Sequence, residues 1–186
     1  EDQLREAGVV LVKYWLHISK QEQARRFRKL EKDPAISWIV TKADWRENRK
    51  YDKVLRRVER MLRATSTDYG PWTAVPTHDS RTASLCIATT LVDAIEKALK
   101  RRESAAKAKP PKPAAVRRRK SPLAAADLSL SLDRETYEET LPKLQKELLR
   151  FEHLLHPQRI PVVIVYEGWD ASGKGGNIKR LVTGLD

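Results

Sequence analysis

Between residues 168 and 175 the chain reads Gly168-Trp169-Asp170-Ala171-Ser172-Gly173-Lys174-Gly175, a glycine, four residues, then Gly-Lys. This is the P-loop (Walker A) spacing. It follows the apolar run 161–166 and precedes a segment with helical character. Glycines let successive amides turn toward one phosphate, a helix N-terminus adds partial positive charge, and a lysine adds a full one. Gly168, Ser172, Gly173, Lys174, Gly175, Gly176 and Asn177 are therefore the expected phosphate-binding residues, with Lys174 the catalytic cation. A plain glycine turn between strand and helix is the alternative, and the lysine at this spacing argues against it.

Gly175 stands where nucleotide hydrolases of this pattern carry a Ser or Thr whose hydroxyl reaches magnesium. Asp170, inside the loop, is the candidate replacement. Its carboxylate could coordinate Mg2+ or orient the attacking oxygen, giving it a catalytic and a metal-binding role. An Asx turn, with the carboxylate bonded to its own backbone, is the other reading.

A P-loop needs a parallel sheet beneath it, and the order of elements supplies one. Residues 9–18 (VVLVKYWLHI) read as a strand buried on both faces. Ser19 and Glu22 form a capping-box pattern opening a basic helix toward Asp33-Pro34, and Thr41 and Asp44 repeat it before one long helix to about Leu62. A short strand is expected at 72–76, and Asp79 caps a helix with Leu85, Ala88, Leu91, Ile95 and Leu99 in register. Asp133 caps a further amphipathic helix, which Pro142 could kink or restart. A buried strand at 161–167 leads into the loop, with the next helix starting near Gly176. The fold class expected is α/β, a three-layer P-loop nucleoside triphosphate hydrolase-like architecture with a parallel sheet.

The formal charge is +12, but much of it is local. Residues 101–122 hold nine Lys or Arg against Glu103 alone, with four prolines. Such a stretch can bury little, so it reads as a linker. Cys86 is the only cysteine, which excludes an intrachain disulfide and fits a reducing, cytoplasmic setting. The longest apolar run is too short for a membrane helix. His153 and His156 share a helix face without a third ligand nearby, so no zinc site is expected.

The run VYEGWDASGKGGNIKRL at 165–181 resembles the P-loop of the polyphosphate kinase 2 family, and KYWLHISKQEQARRFRKLEKDP at 13–34 resembles that family's strand and basic lid helix. Residues 72–99 are similar to its last strand and terminal helix. In the family the P-loop precedes the lid, whereas here the lid comes first. This order implies two incomplete tandem copies: 1–100 from the end of a first domain, 101–127 a basic Pro/Ala linker, and 128–186 the start of a second domain. The absence of an initiating Met and the stop just inside a helix read as cuts at both ends.

The resemblance implies transfer of the terminal phosphoryl group of inorganic polyphosphate to AMP, giving ADP, with Mg2+ as cofactor. It assigns Arg25, Arg26 and Arg28, backed by Arg46 and Arg49, to the polyphosphate-binding lid. A homo-oligomer is compatible with it. The family's second acidic motif, an Asp-Arg segment, has no counterpart in this sequence, so the 186-residue stretch alone is expected to be inactive. Two other readings stay open: an ATP-dependent P-loop kinase of a small molecule, and a nonspecific nucleic-acid binder acting through the basic linker. Gly175 and the basic lid argue against the first. The lack of aromatic residues among the linker cations argues against the second.

Overall fold

A computed structural model describes residues 1–105 and 122–185. After a short helix α1 (Asp2–Glu6), strand β1 (Val10–His17) leads into helices α2 (Lys20–Glu31), α3 (Lys42–Arg49) and α4 (Tyr51–Thr65). Strand β2 (Trp72–Pro76), helices α5 (Ser80–Ala105) and α6 (Arg134–Leu155), strand β3 (Val162–Gly168) and helix α7 (Lys174–Leu181) complete the order. The three strands form one parallel sheet in the order β2-β1-β3. Strands from 1–100 and from 128–186 thus share a single sheet.

Every residue of β1 is buried, and its side chains alternate between two apolar layers. Val10, Val12, Tyr14 and Leu16 face α5 and α6, meeting Ile87, Leu91, Leu148 and Phe151. Trp15 faces the opposite layer, where Tyr51, Val58 and Leu62 of α4 pack with Trp169 and Leu123. Helices cover both faces, giving the three layers expected. Burial of one large apolar side chain such as Phe151 contributes about 1.5–3 kcal/mol. Lys13, 4 % exposed within β1, is satisfied by ion pairing to Glu1 and by donating to the Thr65 carbonyl.

Several local expectations change. β3 is half-buried to exposed along its length, because β1 is its only hydrogen-bonded neighbour among the described residues. The long helix after Thr41 is two helices: Lys50 leaves helical geometry (φ −93°, ψ 10°), which lets Asn48 reach α2 while Tyr51 reaches the Ile18 carbonyl just after β1. Ser19 caps α2 by accepting from the Glu22 amide, but Glu22 does not reach back; its carboxylate is held by Arg25 and Arg26, and the Ser19 amide donates to His78 Nε2. Pro142 lies inside α6 without interrupting it. α7 starts at Lys174, two residues earlier than expected. Residues 101–105 continue α5, and a 3-10 turn at Pro122–Ala125 buries Leu123. Residues 106–121 of the expected linker, and with them the nucleic-acid reading, lie outside the described residues. Among the described residues no helix is long and apolar enough to cross a membrane.

Candidate functional site

Because the strands are parallel, their C-terminal ends lie at one edge of the sheet: His17 pairs with Pro76, and Leu16 with Gly168. The segments that follow open α2, α5 and α7, so three helix N-termini gather there. Ligands of open parallel sheets bind at such an edge.

The loop from Gly168 to Gly173 is held on several sides. A side chain at Gly168 would lie 2.5 Å from the Leu16 carbonyl oxygen, so β3 can approach β1 here only as glycine. Ala171 (φ 60°) and Gly173 (φ 92°) take left-handed backbone conformations that turn the chain into α7. The Ser172 amide donates to the Trp169 carbonyl at 3.1 Å. The amides of Lys174, Gly175 and Gly176 form the first turn of α7, where no intrahelical acceptor exists.

Lys174 folds back over the loop, its Nζ donating to the carbonyls of Gly168 (2.8 Å) and Trp169 (3.0 Å). These two carbonyls hold the ammonium over the start of the loop. Asp170 is exposed, and no hydrogen bond or ion pair to its carboxylate occurs among the described residues, so the Asx-turn bond is not formed. Ser172 is 1 % exposed and its hydroxyl has no partner among the described residues. Asn177 is turned inward: its Nδ2 donates to Gly173 O, and its Oδ1 accepts from Ser84 of α5. Gly175 and Gly176 are exposed, and a Cβ at Gly175 would meet nothing within 4 Å.

The basic helix α2 lies alongside the loop. Beside their direct contacts a groove of about 680 Å³ opens between them, lined by Arg26, Lys29, Lys32, Asp33 and Ile36 on one side and by Ala171 and Gly173 on the other. Of the expected lid arginines only Arg26 reaches it. Arg25 is turned to Glu22, with two contacts of 2.7 Å, and Arg28 lies over the Trp45 ring at 5.9 Å. Arg46 and Arg49 are exposed on α3 and do not line the groove. Lys29 and Lys32 do, and sequence reasoning passed them over. Lys29 falls at i+3 from Arg26, so the helical period could have found it, whereas Lys32 sits at the C-cap, off that period.

Arg26 is itself a staple. Its guanidinium donates to Glu22, to the carbonyl of Ala171 in the loop at 2.7 Å, and to the carbonyls of Thr77 and His78 after β2. The two arginines, Arg25 foremost, hold the Glu22 carboxyl at about 2 despite its burial. Burial pushes His17 down to about 4, with His78 adding to the effect. Its Nδ1 accepts from the Trp169 indole at 3.2 Å.

For magnesium, Asp170 offers the right chemistry: a hard, exposed carboxylate within the loop, where one carboxylate plus phosphate oxygens and water is a normal Mg2+ set. Together these parts can cradle an oxyanion with amides, place a lysine charge against it, and flank it with the cations of α2 and its C-cap.

The parallel sheet, the loop at its C-terminal edge and Lys174 at the head of α7 define a P-loop protein. The Polyphosphate kinase 2 family model matches residues 1–103 and 131–186, and the chain belongs to that family. It is 35% identical over 190 residues to the polyphosphate:AMP phosphotransferase of Pseudomonas syringae pv. tomato, covering 100% of this chain and 38% of the relative. The identity and both coverages are the same for the polyphosphate:AMP phosphotransferase of Pseudomonas aeruginosa. The ADP-polyphosphate phosphotransferase 3 of Rhizobium meliloti is 39% identical over 84 residues, covering 45% of this chain and 30% of that protein. This chain thus spans little more than a third of the length of the two Pseudomonas relatives. No solved structure matches it.

Proposed function

We propose that the full-length protein carrying this chain transfers the terminal phosphoryl group of inorganic polyphosphate to AMP, giving ADP. The observation that carries the reading is the groove between the P-loop and the lid face formed by Arg26, Lys29 and Lys32. A polyanion laid along it would end beside Lys174. The two Pseudomonas relatives matched over the whole chain are named for this reaction.

In the transfer, the bond between the terminal phosphorus and its bridging oxygen breaks, and a phosphate oxygen of AMP forms the new bond. That oxygen is already ionised at neutral pH, so the attack calls for no general base. The protein's work is to align the two phosphates and offset their charge. Lys174 and the α7 amides stabilise the transferring group. The lid cations hold the chain and shield it from water, which would otherwise accept the phosphoryl group. Mg2+, when bound at Asp170, supplies further neutralisation of phosphate oxygens.

Residues 1–100 and 128–186 are read as parts of two tandem family copies joined by 101–127. The reversed order of lid and P-loop supports this division. On this reading the lid of one copy meets the P-loop of the next in one groove. We propose a cytoplasmic setting, with which the single cysteine of these 186 residues is consistent.

The test is ADP formation by the full-length protein with AMP and either polyphosphate or ATP as donor. Polyphosphate-dependent ADP that chelation of Mg2+ abolishes supports the proposal. Turnover with ATP alone discards it in favour of an ATP-dependent kinase.

A further inference from the structure

Two buried amide side chains form a directional chain that ends on the P-loop. Asn48 of α3, 6 % exposed, donates from Nδ2 to Gln23 Oε1 at 2.9 Å and to the Lys20 carbonyl at 3.2 Å. Gln23 of α2, 4 % exposed, donates from Nε2 to the Asp170 carbonyl at 3.2 Å. Flipping Gln23 would set its NH2 against the NH2 of Asn48 and its oxygen against the Asp170 carbonyl, so only one orientation satisfies both ends. Across the trans peptide the Asp170 carbonyl and the Ala171 amide point in opposite directions. Holding that carbonyl toward α2 therefore fixes the Ala171 amide away from α2.

We propose that Gln23 and Asn48 are positioning residues of the phosphate loop: acting through the Asp170 carbonyl, they set the loop from the lid side and so govern how tightly it takes a polyphosphate oxyanion. This rests on the phosphotransferase reading above. Neither side chain is exposed enough to touch the polyanion, and both belong to the elements that carry the lid. A shift of α2 or α3 would be transmitted to the loop through this chain.

In the full-length protein, Gln23→Ala and Asn48→Ala are each expected to raise the KM for polyphosphate roughly fivefold, the scale of one lost buried hydrogen bond, with kcat changed less than about twofold. The double variant should be no worse than Gln23→Ala alone, because both act through one bond. Gln23→Glu, which keeps the acceptor for Asn48 but places a carboxylate against the Asp170 carbonyl, should raise KM at least as far. A general loss of folding would instead lower kcat per mole of protein and leave KM unchanged. That pattern, or effects of Gln23→Ala and Asn48→Ala that simply add, overturns the proposal. Calorimetric binding of tripolyphosphate carries the same comparison without turnover. If wild-type protein binds tripolyphosphate but makes no ADP, the functional reading fails while the relay is still decided by the variants' affinities. If wild-type protein binds none, both fail.

Discussion

The indole of Trp169 lies against the phenol of Tyr51, ring centroids 4.2 Å apart and planes 18° from parallel, while the Tyr51 hydroxyl donates to the Ile18 carbonyl at 2.7 Å. The second residue of the loop is therefore stacked on a side chain anchored just past the end of the neighbouring strand. Trp169 is 8 % exposed, so it covers the strand end and is not free to pack on a ligand. Tyr51→Phe removes the anchor but keeps the stack, and should cost about 1 kcal/mol. Trp169→Ala removes the stack and should cost about 3–5 kcal/mol. Urea denaturation followed by circular dichroism measures both.

His17 gives this corner a pH dependence. Burial lowers its pKa from 6.5 to about 4, so the unfolded chain takes up a proton in a range where the folded chain does not. Folding stability contributed by neutral His17 is fully present above 6.5 and declines as pH falls from 6.5 to about 4. The bond from the Trp169 indole requires Nδ1 to be unprotonated, which agrees in sign. His17→Asn should flatten the stability profile across that window, as read by denaturation midpoints at several pH values.

Gly168→Ala places a methyl group 2.5 Å from the Leu16 carbonyl oxygen and 2.8 Å from its Cβ. Backbone on the opposite strand cannot yield as a flexible side chain would, so β3 must shift. A loss of about 2–4 kcal/mol, with weakened phosphate binding, is expected. Gly175→Ala is the contrasting case, since open space surrounds its Cβ. Its thermal midpoint should be equal to or above that of the wild type, because alanine narrows the unfolded ensemble in a helical turn.

Lys29 and Lys32 line the groove, whereas Arg25 and Arg28 are engaged elsewhere. Lys29→Ala with Lys32→Ala should raise the KM for polyphosphate about tenfold or more in the full-length protein, with a steep salt dependence. Arg25→Ala with Arg28→Ala should change it less than about threefold. Steady-state kinetics at two ionic strengths separates the pairs.

The P-loop was legible because its chemistry is local: glycine spacing and an adjacent lysine need no tertiary information. The buried strand at 10–17 was legible for a related reason, since eight residues with two polar members leave few alternatives. The roles within α2 were not legible from composition. Four cations, Arg25, Arg26, Arg28 and Lys29, crowd one helix, and which of them faces the groove depends on where Phe27 packs and on Glu22 capturing Arg25 and Arg26. Asn177, expected at the phosphate, is instead bonded to Ser84, a residue 93 positions away that no local pattern could bring to it. The break at Lys50 has no glycine or proline to announce it; it follows from two anchors, Asn48 bonded to α2 and Tyr51 bonded to the Ile18 carbonyl between β1 and α2.

Lys174→Ala in the full-length protein, assayed for ADP from AMP, polyphosphate and Mg2+, bears most directly on the central claim that this loop takes part in the transfer. Loss of the ammonium held over the loop should lower kcat/KM by at least about a hundredfold, with little change in the thermal midpoint. Polyphosphate-dependent ADP formation within about threefold of wild type would contradict the account and move the transfer away from this loop.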